Sequence, residues 1–367
     1  MKILQIMTEL GFGGAERVVL DLCRTLTARG DTVHLAVMKD LPESNMRQAF
    51  VSLGIYPDVL KINSFRDFKR IGKLRKLIRD FKPDVIHSHL MHPNLISRIA
   101  NFRTGIPLIN TVHISERRSG QELFFLLDSM THGLCSCYTA VSNASARFHE
   151  RKIHLKKGTI RTIRNGVDPA AECSPEELRS ARDRWQVAMC SRLLGAIGRL
   201  DQQKGFDRLL RVLRSLEKMV PEQETWGVVI LGEGPERKKL ESMAREYPCR
   251  KLVIRFPGFE PCAASLSAAF DAFVMPSRYE GYGLVFAEAI SQGLPCVYHP
   301  VDSLPELAEG IAHAFPADFE DPAKDIQTAE TLFKAMYLPH AEPKTLVSIA
   351  EMADQYQALY QEVIRKK

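Results

Sequence analysis

"LLGAIGRLDQQKGFDRLLRVLRSLEKM", residues 193–219, decides how this chain is organised. LLGAI is a short apolar strand, GRLDQQKG a polar turn and FDRLLRVLRSLEKM a helix. The chain opens on the same unit. MKILQIM (1–7) is a strand, and after a glycine turn GGAERVVLDLCRTLTARG (13–30) is an amphipathic helix closed by Gly30. A pattern that starts twice predicts two domains.

The first run continues through strands TVHLAVM (32–38), DVIHSH (84–89) and PLINTVH (107–113). A basic helix lies near 66–81 and another helix near 93–103. YTAVSNASARFHE is a strand tip and a helix capped by Ser142 or Asn143, and TIRTIRNGVD (159–168) is a strand ending in an Asn-Gly turn. The second run adds WGVVILGEGPERKKLESMARE (226–246), the strands KLVIRFPGF and AFVMPS, the helix LVFAEAISQG and the strand PCVYH, before terminal helices. Strands alternating with helices imply parallel sheets covered on both faces. The expected class is α/β: two doubly wound, Rossmann-like domains, 1–168 and 169–345, facing a cleft. The last helix, about 346–367, is a candidate to pack back on the first domain. Ligands of such sheets bind at the carboxyl ends of the strands. The glycine turns at 11–14, 232–234 and 281–283 fall at those ends.

The 367 residues, 45% hydrophobic and 26% charged, read as soluble and globular. No apolar run is long enough to cross a bilayer, and the start lacks a signal-peptide cleavage site, so a cytoplasmic protein is expected. Eight scattered cysteines without a CxxC pair suggest neither zinc nor disulfides. Net charge is uneven: residues 1–168 hold 26 Lys and Arg against 15 Asp and Glu, the remainder 24 against 29. The excess is densest in KINSFRDFKRIGKLRKLIRDFK (61–82), which would suit phosphates, nucleic acid or an anionic membrane surface, or simply a solvated helix face.

Four constellations could carry chemistry. In EGYGLVFAEAISQG (280–293) a helix starts near Leu284, so the N–H groups of about 282–286 have no intrahelical partners and could hold a phosphate. Glu280, beside that anion site, is placed to accept from hydroxyls beyond it. Glu288, eight positions on, could accept from a ribose; either could instead serve the helix dipole or an ion pair. In AIGRLDQQKGFDRLL (196–210), Arg199 and Lys204 flank a turn where Gly198 and Gly205 let the backbone come close, as a diphosphate would need. In TELGFGGAERVVL (8–20), Gly11, Gly13 and Gly14 join strand to helix, but Glu16 stands where a dinucleotide fingerprint wants glycine. Among the histidines, His87, His89 and His92 in DVIHSHLMH are set aside as metal ligands, on the premise that alternate strand positions face opposite ways. His113, at a strand tip, is the better substrate contact, with a histidine that simply caps a strand as the plainer alternative. No hydrolase triad or GxxxxGK[ST] loop is present.

In order along roughly residues 1–310, GGAERVVLDL, PDVIHSHL, TVH, AVS, RNGVD, GRLDQQKGFDRLL, LGEGPER and PSRYEGYGLVFAEAISQGLPCV resemble the retaining GT-B glycosyltransferases. That large family includes phosphatidylinositol mannosyltransferase and many polysaccharide and lipopolysaccharide enzymes. The resemblance implies that Glu280 holds hydroxyls of the donor sugar and Glu288 the ribose. Arg199 and Lys204 would bind the diphosphate, with the amides of Gly283, Leu284 and Val285. Gly13 and Gly14 would line the sugar from the other domain, and His113 would contact it near the reacting carbon. Gly198 belongs to the diphosphate turn, and the base would lie near Gly232–Gly234 and Gly258. The resemblance further implies retention of configuration, no metal and no cofactor beyond the nucleotide-sugar co-substrate. Its usual proposal is a front-face displacement in which the departing diphosphate takes the acceptor's proton.

One stretch departs from the family: YHPVDSLPELAEG (298–310) puts Tyr298, His299 and Pro300 where small residues and a Gly-Gly pair are common. The implied reaction moves a hexose or N-acetylhexosamine, with uridine diphosphate the favoured carrier and guanosine diphosphate its rival. The acceptor would be a glycan or lipid-linked glycan. The basic helix and ELFFLLDSM (122–130) suggest an anionic membrane surface, although ELFFLLDSM alone reads as an ordinary buried helix. A nucleotide-sugar epimerase or phosphorylase could share the architecture. A NAD-dependent oxidoreductase would need the glycine that Glu16 replaces, and a nucleic-acid-binding module would leave the acidic second domain unexplained.

Overall fold

The computed structural model describes residues 1–366 except 12, 40, 42–43, 63–66, 116, 118–119, 247–248 and 345. It divides into two compact units, 1–166 with 347–367, and 167–346.

The N-terminal unit runs β1 (Lys2–Met7), α1 (Gly14–Ala28), β2 (Thr32–Val37), α2 (Asn45–Ser52), β3 (Asp58–Val59), α3 (Phe68–Phe81), β4 (Val85–His89) and α4 (Met91–Asn101). It continues with β5 (Leu108–Val112), α5 (Glu122–Thr131), β6 (Cys137–Ala140), α6 (Asn143–Lys152) and β7 (Arg161–Thr162). The sheet order is β3-β2-β1-β4-β5-β6-β7, and every pairing is parallel. Side chains alternate between its faces. Leu4, Ile6 and Ile86 pack with Ile71, Leu74 and Ile78 of α3 and Ile96 and Ala100 of α4. Met7, Leu35 and Val37 pack with Val19, Leu20 and Cys23 of α1 and Phe50 of α2. The predicted basic helix is observed from Phe68; its expected start, Arg66, and Asn63–Phe65 of the basic stretch lie outside the described residues.

The C-terminal unit runs α7 (Pro175–Arg184), β8 (Arg192–Ile197), α8 (Phe206–Glu217), β9 (Trp226–Leu231), α9 (Arg237–Glu246), β10 (Leu252–Gly258), α10 (Ala263–Leu266) and β11 (Ala272–Met275). Then come α11 (Leu284–Ser291), β12 (Cys296–Tyr298), α12 (Leu304–Ala308), β13 (Ala314–Pro316) and α13 (Asp325–Ala335). Its parallel sheet has the order β10-β9-β8-β11-β12-β13, with the crossover in strand order beside β8. Phe206, Leu209, Leu213 and Leu216 of α8 close one face over Leu194, Val228 and Ile230.

The last helix, α14 (Ile349–Arg365), starts at a capping box of Ser348 and Glu351 and belongs to the N-terminal unit. A Cβ on Gly166 would run into the backbone of Ser348 and Ile349, so glycine admits the helix there. Arg29 pairs with Asp354, and Arg161 with Glu362. Tyr356 and Tyr360 are fully buried against the sheet.

Candidate active site

In the C-terminal unit the site is built at the carboxyl ends of β8, β9 and β10. Gly198 N–H donates to Leu231 O (2.9 Å) and Gly232 N–H to Gly258 O (2.8 Å). Leu200 N–H donates to Glu233 O (2.9 Å), drawing the turn that holds Gly234 onto the turn that follows β8. Gly198, Gly232–Gly234 and Gly258 therefore line one edge.

The turn after β8 is laced to the loop before α11. Arg278 N–H donates to Gln203 O (2.7 Å), and the Arg278 fork grips Asp207 at 2.7 and 2.6 Å. Gln203 Nε2 donates to Tyr279 O (3.1 Å). This lacing brings Lys204 to Glu280: Nζ donates to Oε1 at 2.7 Å, and Ser277 Oγ donates to the same oxygen at 2.8 Å. Glu280 is only 4% exposed, and a carboxylate so buried requires partners of this kind. Arg199 remains extended, its side chain 66% exposed, with a loose 3.7 Å contact to Asp201.

Gly283 caps α11 in the left-handed conformation (φ 86°), and a Cβ there would press on Leu304 at 2.6 Å. Phe286 and Ala287 both donate back to Gly283 O, which leaves Leu284 and Val285 as the first-turn amides of the helix. Glu288 stands half-buried on the second turn of α11.

Sequence reasoning missed the residues that hold this turn. Asp302 Oδ2 accepts from Glu280 N–H (2.9 Å), and Ser303 Oγ donates to Tyr282 O (2.9 Å). Both lie in the stretch that departs from the family, where the visible signal was bulk. Tyr298 itself is buried, its ring 5.0 Å from that of Phe286. The departure thus packs beneath the loop and supplies two polar supports to it.

In the N-terminal unit, Gly13 caps α1 and Gly14 begins it. A Cβ on Gly13 would collide with the Glu16 carboxylate, which folds back over the start of the helix. The residue that interrupts the dinucleotide fingerprint therefore occupies the approach to the glycine. Phe12, in the same loop, lies outside the described residues.

His113 follows β5 and is buried, and burial lowers its pKa to about 3. Its Nε2 lies 2.9 Å from His89 Nδ1, and His89 Nε2 lies 2.7 Å from Gln5 Oε1. His87 reaches Tyr360 Oη and Thr111 Oγ1, each at 2.7 Å. The premise used against a metal at these histidines fails. Positions two apart on a strand share a face, and the His87 and His89 rings stand 4.0 Å apart. Both are instead spent in hydrogen bonds. Among the described residues no group of three or more His, Cys, Asp or Glu is arranged to hold a metal ion.

ELFFLLDSM also differs from its simplest reading as a buried helix. In α5 the polar Asp128 is buried in an ion pair with Arg98, while Leu123, Leu126 and Met130 are 63%, 56% and 75% exposed. Hydrogen bonds and ion pairs from His149, Arg98 and Tyr138 hold Asp128 inside, against the cost of its burial, and this turns the apolar stripe outward. Among the described residues no helix is long and apolar enough to cross a membrane.

Comparison with known proteins agrees with this architecture. Residues 12–171 match the family model "Glycosyltransferase Family 4", and residues 180–332 match "Glycosyl transferases group 1". The putative glycosyltransferase EpsF of Bacillus subtilis is 24% identical over 324 residues, covering 84% of this chain and 81% of EpsF. A UDP-Gal:alpha-D-GlcNAc-diphosphoundecaprenol alpha-1,3-galactosyltransferase of Escherichia coli is 23% identical over 314 residues, covering 81% of this chain and 79% of that enzyme. Among solved structures, Anabaena Alr3699/HepE in complex with UDP superposes with a TM-score of 0.76 at 20% identity, covering 100% of this chain and 98% of the other. With two matched domains that together take in most of its length, and the fold to go with them, the chain belongs to the GT-B glycosyltransferases.

Proposed function

We propose that this protein transfers a hexose or N-acetylhexosamine from a UDP-sugar to a glycan or lipid-linked glycan, with retention of configuration, in cell-surface polysaccharide or lipopolysaccharide synthesis. The observation that carries the reading is the Lys204–Glu280 pair beside the open first turn of α11. One arm of the site is cationic and the other offers a carboxylate, as a diphosphate next to a hydroxyl-rich ring requires. Lys204, Arg199 and the amides of Gly283, Leu284 and Val285 would receive the diphosphate and stabilise it as it departs. Glu280 would accept from sugar hydroxyls and Glu288 from the ribose. Within the N-terminal unit, His113, Gly13 and Gly14 are the proposed sugar contacts, and Glu16 would have to swing aside for Gly13 to serve. The leaving diphosphate would take the acceptor's proton, so the mechanism asks for no protein nucleophile and no metal. UDP is favoured over GDP because uridine nucleotides appear in the names of both the E. coli relative and the HepE complex. The outward apolar stripe of α5 and the basic α3 support docking on an anionic membrane, where a lipid-linked acceptor would lie.

The test is thermal stabilisation by a panel of UDP- and GDP-sugars, with NADH and DNA alongside. A UDP-sugar should raise the transition by several degrees, and Glu288→Ala should abolish the shift. Stabilisation by NADH or DNA alone would overturn the reading.

A further inference from the structure

Behind His113 lies a polar chain that crosses the sheet of the N-terminal unit and ends on the last helix. Its members, Gln5, His87, His89, Thr111, Thr139 and Tyr360, are each no more than 1% exposed. They come from β1, β4, β5, β6 and α14, and all face the same side of the sheet. Buried groups of this kind must be satisfied in one consistent order, because each proton donated by one is accepted by the next.

The distances set that order. Gln5 is 2.7 Å from His89 Nε2 on one side of its amide and 3.4 Å from Tyr360 Oη on the other. The short side suits N–H···O, and a short O–H···O bond is what the long side would show if the amide were reversed. The amide oxygen therefore faces His89, and His89 carries its proton on Nε2. His89 Nδ1 is then an acceptor, and the proton in the 2.9 Å contact belongs to His113 Nε2. Onward from Gln5, the amide N–H points to Tyr360 Oη, and the Tyr360 hydroxyl donates to His87 Nδ1. His87 Nε2–H donates to Thr111 Oγ1, Thr111 to Thr139 Oγ1 at 2.6 Å, and Thr139 to Asn110 O at 3.4 Å. At the far end Tyr356 also bonds Thr111 and Thr139, so the direction is set by the Gln5 amide.

We infer that this relay locks His113 as the neutral Nε2–H tautomer and so presents a bare Nδ1 lone pair, an acceptor for a sugar hydroxyl. His89, Gln5 and Tyr360 are positioning residues: they touch no substrate, and they decide which of the two imidazole nitrogens is bare. The hydroxyl contact rests on the donor-sugar reading above; the tautomer does not. Such a site favours a hydroxyl and disfavours a carboxylate at the same place, because a carboxylate brings no proton to Nδ1. The relay also makes the last helix a structural determinant of the site, through one phenol.

The experiment is nitrogen-15 NMR of full-length protein labelled at histidine, at pH 7 and without ligand, with the His113 signals assigned by their loss in His113→Gln. The expected result is a protonated Nε2 and an unprotonated Nδ1. A protonated Nδ1, or an imidazolium, overturns the proposal, and the tautomer itself is read in the unaltered protein. Tyr360→Phe keeps the ring and removes the hydroxyl, freeing the Gln5 amide to turn. It should give mixed His113 tautomers and lower kcat/KM for transfer about 10-fold, the worth of one hydrogen bond. Unchanged tautomers in Tyr360→Phe overturn the relay, and mixed tautomers with unchanged kcat/KM overturn the hydroxyl contact. Protein with the expected tautomer that no sugar nucleotide stabilises would sink the donor reading and leave the relay standing.

Discussion

The sequence offers Arg199 and Lys204 together for a diphosphate, and the structure gives them very different surroundings. Lys204 is tied to a buried carboxylate, so Lys204→Ala removes a cation and strands Glu280 together; unpairing a buried charge costs about 3–5 kcal/mol. Any loss of activity would then mix chemistry with stability. Arg199 is mostly exposed and loosely held, so Arg199→Ala should leave the melting temperature nearly unchanged. If Arg199 stabilises the departing diphosphate, the same variant should lower kcat by roughly 100-fold. Steady-state kinetics beside a melting curve separate the two effects, and near-normal turnover in Arg199→Ala would remove it from the diphosphate site. Glu280 and its glycine turn are legible because the turn opens a helix whose first amides form a recognisable anion site. Asp302 and Ser303 were not, because their role is to hold Glu280 N–H and Tyr282 O across some twenty residues of chain, and local pattern carries no trace of such a contact.

Elements were legible where periodicity is strong, as in α8 and the fully buried strands β4 and β9. The two-residue strands β3 and β7 and helix α7, which falls between the two runs of alternating elements, are set by pairing and by the Ser174–Glu177 capping box more than by hydrophobic pattern. Helix α5 fails in the opposite sense, since its apolar residues are plain in the sequence but their direction is not. Asp128 decides that direction by pairing inward with Arg98. Helices α3, α4 and α5 pack side by side on one face of the sheet, and Arg75 of α3 donates to Phe102 O at the end of α4. The exposed cations Lys69, Lys73, Lys76 and Arg79 lie on α3, and α4 separates them from the stripe of α5. If this layer docks on lipid, the protein should sediment with anionic phosphatidylglycerol vesicles far more than with neutral ones. Leu126→Glu with Met130→Glu should weaken that binding, and Lys73→Glu with Lys76→Glu should weaken it by about 1 kcal/mol per charge removed. Equal binding to neutral and anionic vesicles would defeat the idea.

At the scale of the molecule, the buried histidines tie stability to pH. Burial is the main cause that holds His87, His89 and His113 neutral, and for His87 and His89 repulsion from neighbouring imidazoles adds to it. In the unfolded chain each would take up a proton below about pH 6.5. The unfolded state then binds more protons than the folded one, so stability must fall as the pH drops through 6.5. For His113, with a folded value of about 3, the loss between pH 7 and pH 5 is about 2 kcal/mol, and His87 and His89 add to it in the same direction. The carboxylates held low act later: Asp128, at about 2 when folded, withdraws its contribution only below the ordinary carboxylate range. The contribution of His87, His89 and His113 is therefore withdrawn between pH 6.5 and pH 5. Both tryptophans, Trp185 and Trp226, lie in the C-terminal unit, so their fluorescence follows that unit, whereas circular dichroism follows both. Thermal melts at pH 7 and pH 5 should show the transition seen by circular dichroism but not by tryptophan moving to lower temperature on acidification. A transition that stays in place or rises would count against three imidazoles held neutral in the folded protein, and so against the ordered chain from His113 to Tyr360.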